Sequence, residues 1–430
     1  MKEIRIGVMG AYRGTSMINY CRIARNARVV AVCDKNDEAL ARQRAALGDD
    51  AIAYYSRFDD FIQHPMDAVV LANYANEHAP FAIRCLEKGL HVYSEVLPCQ
   101  NMKEAVELIE AVERTGKIYA YGENYCYMPG PREMRRLRMA GKLGEIEYGE
   151  GEYVHNCESI WPSITYGEEH HWRNNMFSTF YCTHSLGPLV HISGLRPVSV
   201  VGFEGTMTAR GRRVGRKGAQ FAIEMVTMEN GAIFKSIHGD LYRNSIWYTV
   251  YGSQGRMETA REDAELGGVT RIYVNRDEYD GGYETASLTG YEPTESPEAA
   301  AFGHDGSDYN TMNEFVKKIL GDDTADVIDV YEAMDMFLPG IFAYRSILAG
   351  NISMDIPDLR DPAQREAYRN DTACTDPKVA GDQLLPTFSK GTPQIPQSVY
   401  EAIARQWEQE KEGGDYVKRV MSQGRPVEKE

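Results

Sequence analysis

A dense set of tyrosine and histidine residues lies in the middle of the chain, where five of the ten histidines fall between positions 155 and 191. The set consists of Tyr153, His155, His170, His171, Trp172, Arg173, Tyr181, His184 and His191. Such side chains bind sugar hydroxyls and move protons near neutral pH. A metal cluster is the alternative, but the chain has no H-E-x-x-H, and we expect no metal ion here. The segment therefore predicts acid–base chemistry on a hydroxyl-bearing substrate.

Tyr181 and His184 are three residues apart, and that spacing places two side chains on one face of a helix. A single histidine is ordinarily a core residue, and we interpret His191 in that way. For His184 we expect a catalytic role instead. Gly187 and Pro188 predict a bend in the same helix.

The N-terminal residues predict a dinucleotide-binding β-α unit. An apolar run leads into Gly10-Ala11-Tyr12-Arg13-Gly14, which lacks the middle glycine of G-x-G-x-x-G and is one residue shorter. Such a turn lets the backbone approach a pyrophosphate at a helix N-terminus. Asp34 ends the next strand-like run, where a carboxylate binds the adenosine ribose and repels a 2′-phosphate. We therefore expect NAD, with Gly10, Tyr12, Arg13 and Asp34 among its contacts.

Strand and helix patterns alternate up to about residue 125, which predicts a parallel sheet. Ligands of such sheets lie beyond the carboxyl ends of the strands. Three further loops should converge there on the cofactor, namely 73–78, 95–98 and 123–125. These loops supply the remaining candidate cofactor contacts of this part, Asn73, His78, Glu95 and Glu123.

The pattern changes at Pro129-Gly130-Pro131, after which alternating apolar residues predict antiparallel strands with one solvated or partner-covered face. We expect an α/β protein with an N-terminal Rossmann domain (1–126) and a C-terminal α+β domain (127–355) built on a mainly antiparallel open sheet. Residues 276–307 are interpreted as a long loop or lid. We interpret residues 356–430 as an arm over the body or a neighbouring subunit, and expect a late helix in it capped by Ser398 and Glu401.

Composition excludes some partners. Across 430 residues, 47 Lys and Arg stand against 63 Asp and Glu, a formal charge of −16, which argues against nucleic acid and anionic membranes. The eight cysteines are scattered without a C-x-x-C. With no run of about 18 apolar residues and no signal-peptide pattern at the start, we expect a cytoplasmic protein.

Several motifs together resemble the Gfo/Idh/MocA oxidoreductases over roughly residues 3–355. They are the N-terminal glycine turn, Asp67-Ala-Val-Val-Leu-Ala, His78-Ala-Pro-Phe-Ala, Gly89-Leu-His-Val-Tyr-Ser-Glu95 and Gly144-Glu145-Ile146. The resemblance implies a Rossmann domain, oxidation or reduction of sugar-like hydroxyls with NAD(P), and an open sheet that often forms the oligomer interface. A homo-oligomer, dimer or tetramer, is therefore expected.

Two positions depart from ordinary members of that family. Those members carry Glu-Lys-Pro, with a catalytic lysine, where this chain reads Glu95-Val96-Leu97-Pro98. They also place an aspartate four residues before the catalytic histidine, where this chain has Phe180 before His184. Both departures are similar to the NAD-dependent glycosidases of glycoside hydrolase family 109.

The motifs shared with that branch are Gly151-Glu152-Tyr153-Val154-His155, Trp172-Arg173, Tyr181-x-Thr183-His184-x-Leu186-Gly187-Pro188, Gly303-His304-Asp305-Gly306-Ser307-Asp308-Tyr309 and Ile328-Asp329-Val330-Tyr331. The resemblance implies that NAD⁺ takes a hydride from the sugar C3. A base then removes the acidified C2 proton, the C1 group leaves, water adds and the hydride returns.

In this scheme His184 and Tyr181 transfer protons, and Tyr153 and His155 bind sugar hydroxyls. Trp172 would contact the cofactor, while Glu123 and Arg173 would position groups near the nicotinamide. Two alternatives stay open. One is a net NAD-dependent dehydrogenase or 3-oxidase of a sugar, glycoside or cyclitol, and the other is a non-catalytic NAD-binding sensor.

Overall fold

The structure is a computed structural model that describes residues 3–261, 270–274, 287–291 and 296–412. Of 270–274 and 287–291 it describes the backbone alone. The predicted lid at 276–307 lies partly outside these residues. The described part of it is not a plain loop, because it contains a strand at Ser287–Tyr291 and a short helix at Pro297–Ala300.

The N-terminal sheet has six parallel strands in the order β3-β2-β1-β4-β5-β6. The strands are β1 (Ile4–Met9), β2 (Ala27–Cys33), β3 (Ala53–Tyr55), β4 (Ala68–Leu71), β5 (His91–Glu95) and β6 (Tyr119–Gly122). Strands β1, β4 and β5 are almost wholly buried, as strands covered on both faces must be. The predicted Rossmann-type sheet is confirmed.

Helices join these strands, and local chemistry sets their ends. They are α1 (Thr15–Ile23), α2 (Asp37–Leu47), α3 (Phe58–Phe61), α4 (His78–Glu87) and α5 (Met102–Thr115). Before α5, the Asn101 side chain accepts a hydrogen bond from the Glu104 amide, and Gly116 ends the helix in the left-handed conformation.

The second sheet has nine strands in the order β14-β13-β12-β11-β7-β10-β9-β8-β15. They are β7 (Ile146–Val154), β8 (Pro197–Glu204), β9 (Phe221–Met228), β10 (Ile233–Gly239), β11 (Ser245–Gly252), β12 (Gly255–Thr259), β13 (Thr270–Val274), β14 (Ser287–Tyr291) and β15 (Met354–Asp355). Strands β7 and β10 pair in parallel, whereas the other pairs are antiparallel. The mainly antiparallel open sheet is therefore confirmed.

Helices cover one face of this second sheet, where α9 packs on β7 and β10 and α13 packs on β8 and β9. The helices of this part are α6 (Pro129–Met139), α7 (Trp161–Thr165), α8 (Trp172–Asn175), α9 (Thr183–Ser193), α10 (Ala209–Arg213), α11 (Pro297–Ala300), α12 (Ser307–Ile319) and α13 (Val330–Leu348). Helix α13 runs through Pro339 without ending there.

The C-terminal residues carry α14 (Pro362–Glu366), α15 (Pro377–Ala380) and α16 (Gln397–Glu412). Ser398 lies inside α16, so the prediction that it caps this helix is wrong. The arm lies against the body of its own chain, where Arg365 and Arg369 pair with Glu113 and Glu110 of α5. Among the described residues, no helix is both long and apolar enough to cross a membrane.

Candidate active site

The centre of the site is a buried pair formed by a carboxylate and an imidazole. Nδ1 of His184 lies 2.6 Å from Oε1 of Glu123, and both side chains are buried. Because a carboxylate can only accept, Nδ1 carries the proton and Nε2 is left to exchange one. Glu123 follows β6 at the carboxyl edge of the parallel sheet, and His184 lies in the first turn of α9. The pair therefore links the carboxyl edge of the parallel sheet to the helix that packs on the second sheet.

Gly187 and Pro188 follow His184 on the same helix and shape its surroundings. Gly187 lets Glu123 approach, because a Cβ there would lie 3.0 Å from Cγ of Glu123. Pro188 has no amide hydrogen to donate to the carbonyl of His184. The buried Tyr248 hydroxyl donates to that carbonyl instead, at 2.5 Å. The helix thus keeps its backbone hydrogen bonding satisfied beside the imidazole.

Three tyrosine rings surround this imidazole. The ring centroids of Tyr125, Tyr153 and Tyr181 lie 4.4, 4.6 and 5.0 Å from that of His184. Burial raises the pKa of all three phenols above its ordinary value, so each is neutral and can donate a hydrogen bond near pH 7. The cluster supplies several neutral proton donors around one histidine.

His155, predicted as catalytic, and Arg173, predicted to position groups near the nicotinamide, both lie beside these tyrosines. The Arg173 guanidinium lies over the rings of Trp172 and Tyr181, at 4.5 and 5.1 Å, and it opposes the burial effect on the pKa of Tyr181. Burial, followed by the charge of Arg173, lowers the pKa of His155. The neutral ring of His155 lies with Nδ1 3.2 Å from the Tyr153 hydroxyl.

One prediction about this group is wrong in its local structure. Helix α9 begins at Thr183, so Tyr181 lies in the preceding turn and shares no helical face with His184. Phe180 is buried against Trp172, Phe177 and Phe337. The carboxylate that the family resemblance implies at this position is supplied to His184 by Glu123 instead.

The glycine turn lies at the other end of the site. Gly10 has a φ of +99°, and a Cβ there would lie 2.3 Å from the Ala72 carbonyl oxygen. Asp34 accepts hydrogen bonds from the backbone amides of Ala11, at 2.7 Å, and Asn36, at 2.8 Å. Its carboxylate is therefore held between the turn and the start of α2.

A buried ionic cluster connects the turn with α12. Arg13 makes two hydrogen bonds to Asp308, at 2.8 and 2.7 Å, and lies 2.8 Å from Glu95. Asp308 is buried and also lies 3.1 Å from both Asn124 and His304. Burial opposes charge on Asp308, but Arg13 outweighs it and holds the pKa of this carboxyl well below its usual range. Sequence patterns do not single out Asn124, Tyr125, His304 or Asp308 as site residues. Asn124 and Tyr125 do belong to the predicted cofactor loop 123–125, and His304 and Asp308 to a motif quoted for the resemblance.

His78 and Asn73 occupy the loops between the strand ends. The His78 ring is buried, with its nitrogens 2.8 Å from the Leu97 carbonyl and 3.3 Å from the Asn73 carbonyl. Burial lowers its pKa to about 4. His78 thus connects the loops after β4 and β5, and its predicted contact with a cofactor stays a prediction.

The arrangement fits a dinucleotide. Val96 and Leu97, which replace the lysine of ordinary family members, are buried apolar side chains. Two buried oxygens, Oε2 of Glu123 and Oδ1 of Asn73, accept no hydrogen bond from any described residue. Glu123 and Asn73 each follow a strand of the parallel sheet, at its carboxyl edge. A ligand bound there could donate hydrogen bonds to these two oxygens. Among the described residues, no group of three or more His, Cys, Asp or Glu is placed to hold a metal ion.

Comparison with known proteins relates the N-terminal part of the chain to an NAD-binding family. Residues 4–123 match the sequence model of the Gfo/Idh/MocA oxidoreductase family with its NAD-binding Rossmann fold. A protein of Shewanella sp. (strain ANA-3) named glycosyl hydrolase family 109 protein 2 is 30% identical over 204 residues. That match covers 44% of this chain and 44% of the relative, so the chain spans less than half the length of this curated relative.

Solved structures share the fold across most of the chain. Levoglucosan dehydrogenase in complex with NADH and L-sorbose has a TM-score of 0.68 at 16% identity and covers 83% of this chain and 100% of that one. The myo-inositol 2-dehydrogenase from Lactobacillus plantarum has a TM-score of 0.64 at 19% identity, with the same coverage. At these identities the likeness shows the fold alone. Residues 4–123 are thus similar in sequence to the NAD-binding Rossmann fold of the Gfo/Idh/MocA oxidoreductases, and the solved structures share this fold.

Proposed function

We propose that this chain is an NAD-dependent enzyme that acts on a sugar or glycoside by hydride abstraction at C3. The reaction we propose is glycoside cleavage through oxidation, elimination, addition and reduction. The observation that carries the proposal is the Glu123–His184 pair inside a ring of three neutral tyrosines. Such a group suits proton transfer around adjacent hydroxyl-bearing carbons, and it differs from the two facing carboxylates of ordinary glycosidases.

The residues that would hold the cofactor lie along the carboxyl edge of the parallel sheet. The Gly10 turn and the N-terminus of α1 would receive the pyrophosphate, and Asp34 the adenosine ribose. When bound, NAD⁺ supplies the acceptor for the C3 hydride and later its donor. Glu123 and Arg173 lie beside the proton-transfer residues and would position the groups that react.

The proton transfers fall to this chain's own side chains. Nε2 of His184 would take the C2 proton once C3 is a ketone, because Glu123 stabilises the imidazolium that forms. Tyr181 would protonate the leaving oxygen at C1, since it is neutral and lies beside Arg173. Tyr153 and His155 would bind the neighbouring hydroxyls, and the neutral ring of His155 would take the proton that the C3 hydroxyl loses with its hydride and return it when the hydride returns.

The substituted lysine position supports cleavage over simple dehydrogenation. A lysine there would give the C3 hydroxyl its own acid–base group, but Val96 and Leu97 are apolar and buried. Proton transfer is thereby concentrated on the histidine and tyrosine cluster. The relative named as a family 109 glycosyl hydrolase points the same way.

We further propose the domain boundaries 1–126, 127–355 and 356–430, and a homo-oligomer formed through the uncovered face of the second sheet. That face exposes Phe203, Ile233 and Tyr251, at 46%, 43% and 36%. Size-exclusion chromatography with light scattering tests the assembly, and a Phe203→Glu variant should shift it towards monomer. All eight cysteines are free thiols, which supports a reducing, cytoplasmic location.

The test is stoichiometric. Purified protein is given aryl glycosides of several sugars, and aglycone release and NADH absorbance are followed together. Aglycone release without net NADH supports the redox cycle. NADH that accumulates in step with substrate loss makes the protein a net dehydrogenase and overturns the cleavage proposal. An NAD-loaded protein that is inert on the whole panel would overturn the enzyme proposal in favour of a sensor.

A further inference from the structure

A row of aromatic rings connects the C-terminal arm with the loop after β4. The ring centroids of Tyr74 and His171 lie 4.6 Å apart, those of His171 and Tyr166 6.4 Å, and those of Tyr166 and Trp407 5.4 Å. Trp407 belongs to α16, which lies far outside the residues that match the Gfo/Idh/MocA family. The row therefore links an element of this chain's own arm to the parallel sheet.

The near end of the row lies where the adenosine half of a dinucleotide would bind. The Lys35 ammonium lies 4.0 Å from the centre of the Tyr74 ring, and Lys35 directly follows Asp34. In this fold the adenosine ribose binds the acidic residue at the end of the second strand. Tyr74 thus lies between the ends of β2 and β4, beside the expected ribose position.

His171, in the middle of the row, is a buried donor that lacks a partner among the described residues. Its Nδ1 accepts a hydrogen bond from the Arg173 amide at 3.2 Å, so the ring proton is on Nε2. No described residue accepts that proton, and Nε2 is buried. Burial lowers the pKa of His171 to about 3, so the ring is neutral. A ligand acceptor beside this ring would satisfy it.

The far end of the row, Trp407, lies on a helix that packs against the rest of the chain. Helix α16 buries Tyr400, Ile403 and Trp407 on one face, and the Tyr400 hydroxyl donates to the Gly215 carbonyl at 2.9 Å. At its other end Lys411 lies 3.2 Å from Glu38 of α2, the helix that follows Asp34. The helix therefore touches both the second part of the molecule and the edge of the proposed cofactor site.

We propose that α16 closes the adenosine end of the cofactor site through this aromatic row, so that NAD is retained from one turnover to the next. Leaving this end would require the row to open, which slows release. Retention suits an enzyme whose cofactor is oxidised and reduced within one catalytic cycle. The inference rests on the proposed use of NAD, and not on the sugar chemistry.

The first test measures release of NADH from the loaded full-length protein, without sugar, by fluorescence after mixing with excess NAD⁺. Trp407→Ala removes the outer ring, and we expect release to become about tenfold faster. Trp407→Phe keeps a ring and should release NADH nearly as the wild type does. Gln409→Ala, at an exposed position of the same helix, is the matched control. A folded Trp407→Ala variant with an unchanged release rate would overturn the proposal.

A second measurement needs no variant. Amide hydrogen exchange in residues 397–412 of the wild type should slow when NADH is added, because the closed row ties α16 to the ligand. Unchanged exchange with saturating NADH would contradict the inference. A protein that binds no NADH would instead refute the cofactor proposal, and failure to cleave glycosides would leave the release experiment intact.

Discussion

Nδ1 of His184 and Oε1 of Glu123 are 2.6 Å apart, although 61 positions separate the two residues along the chain. A second pair with nearly the same geometry lies on the same helix, where Nδ1 of His191 is 2.7 Å from Glu332. The neighbours distinguish the two pairs. His184 is surrounded by tyrosines, whereas Nε2 of the buried His191 lies 3.4 Å from the half-exposed carboxylate of Asp326. The chain thus contains both a candidate site and its own structural control.

Glu123→Gln should lower kcat by about 10²- to 10⁴-fold, because the amide neither stabilises an imidazolium nor fixes the tautomer as a carboxylate does. The matched variant Glu332→Gln should keep kcat within severalfold while it lowers the melting temperature. Steady-state kinetics on a cleaved aryl glycoside check both variants. Equal losses of activity in the two would count against a catalytic role for the Glu123–His184 pair.

Tyr181→Phe should lower kcat by about 10²-fold with little change in KM, because the ring remains beside Arg173 while the exchangeable proton is lost. Tyr344→Phe provides the control, since that buried hydroxyl donates to the Pro386 carbonyl at 2.6 Å, in a separate contact. Wild-type kcat in a folded Tyr181→Phe enzyme would remove Tyr181 from the proton-transfer group.

Gly10→Ala should weaken NADH binding by at least about tenfold, because the new Cβ meets the Ala72 carbonyl and the backbone has positive φ. Gly48→Ala is the matched control. Gly48 also has positive φ, but a Cβ there meets nothing within 4 Å. Fluorescence titration should show unchanged NADH affinity for Gly48→Ala together with a modest loss of stability. An unaltered affinity in Gly10→Ala would show that the turn does not receive the pyrophosphate.

His238 should make the protein less stable as the pH is lowered. It is buried with Nε2 3.1 Å from the Ser178 carbonyl, and burial lowers its pKa to about 4. The unfolded chain, with a histidine pKa near 6.5, binds more protons between these values, so stability declines as pH falls from about 6.5 towards 4. The slope from this residue reaches about 1.4 kcal/mol per pH unit.

Urea unfolding between pH 5 and pH 7 tests this contribution. His238→Gln can still donate to the same carbonyl and should have a shallower dependence on pH. His170→Gln, at an exposed position, should follow the wild type. Parallel curves for His238→Gln and the wild type would contradict a buried, neutral His238.

The sequence predicts the elements of the parallel sheet well because local signals specify them. Apolar strands, the Gly10 turn and the Asn101 cap each depend on neighbouring residues, and the structure contains all three. Asp34 likewise lies at the end of β2, where the spacing places it. The sequence predicts the starts of α9 and α16, near Tyr181 and Ser398, less well. Tertiary packing can move the start of a helix by one or two residues.

The contacts that assemble the site depend on long-range packing. Arg13 meets Asp308, 295 positions away, and pairing of that kind carries no signal in sequence spacing. Sequence spacing likewise gives no signal that Glu123 supplies the carboxylate beside His184. The family resemblance implies an aspartate four residues before this histidine, where this chain has Phe180. Sequence reasoning could identify the chemical groups, but only the fold shows which of them meet.

The most direct test of the proposed cycle is the fate of the sugar hydrogens during cleavage in D₂O. A cleavable aryl glycoside is turned over by the wild-type enzyme, and the released sugar is analysed by NMR. We predict deuterium at C2, because the C2 proton is removed and replaced from solvent, and retained protium at C3, because the same hydride returns. A released sugar with no deuterium at C2 would show that cleavage proceeds without elimination and would contradict the proposed cycle.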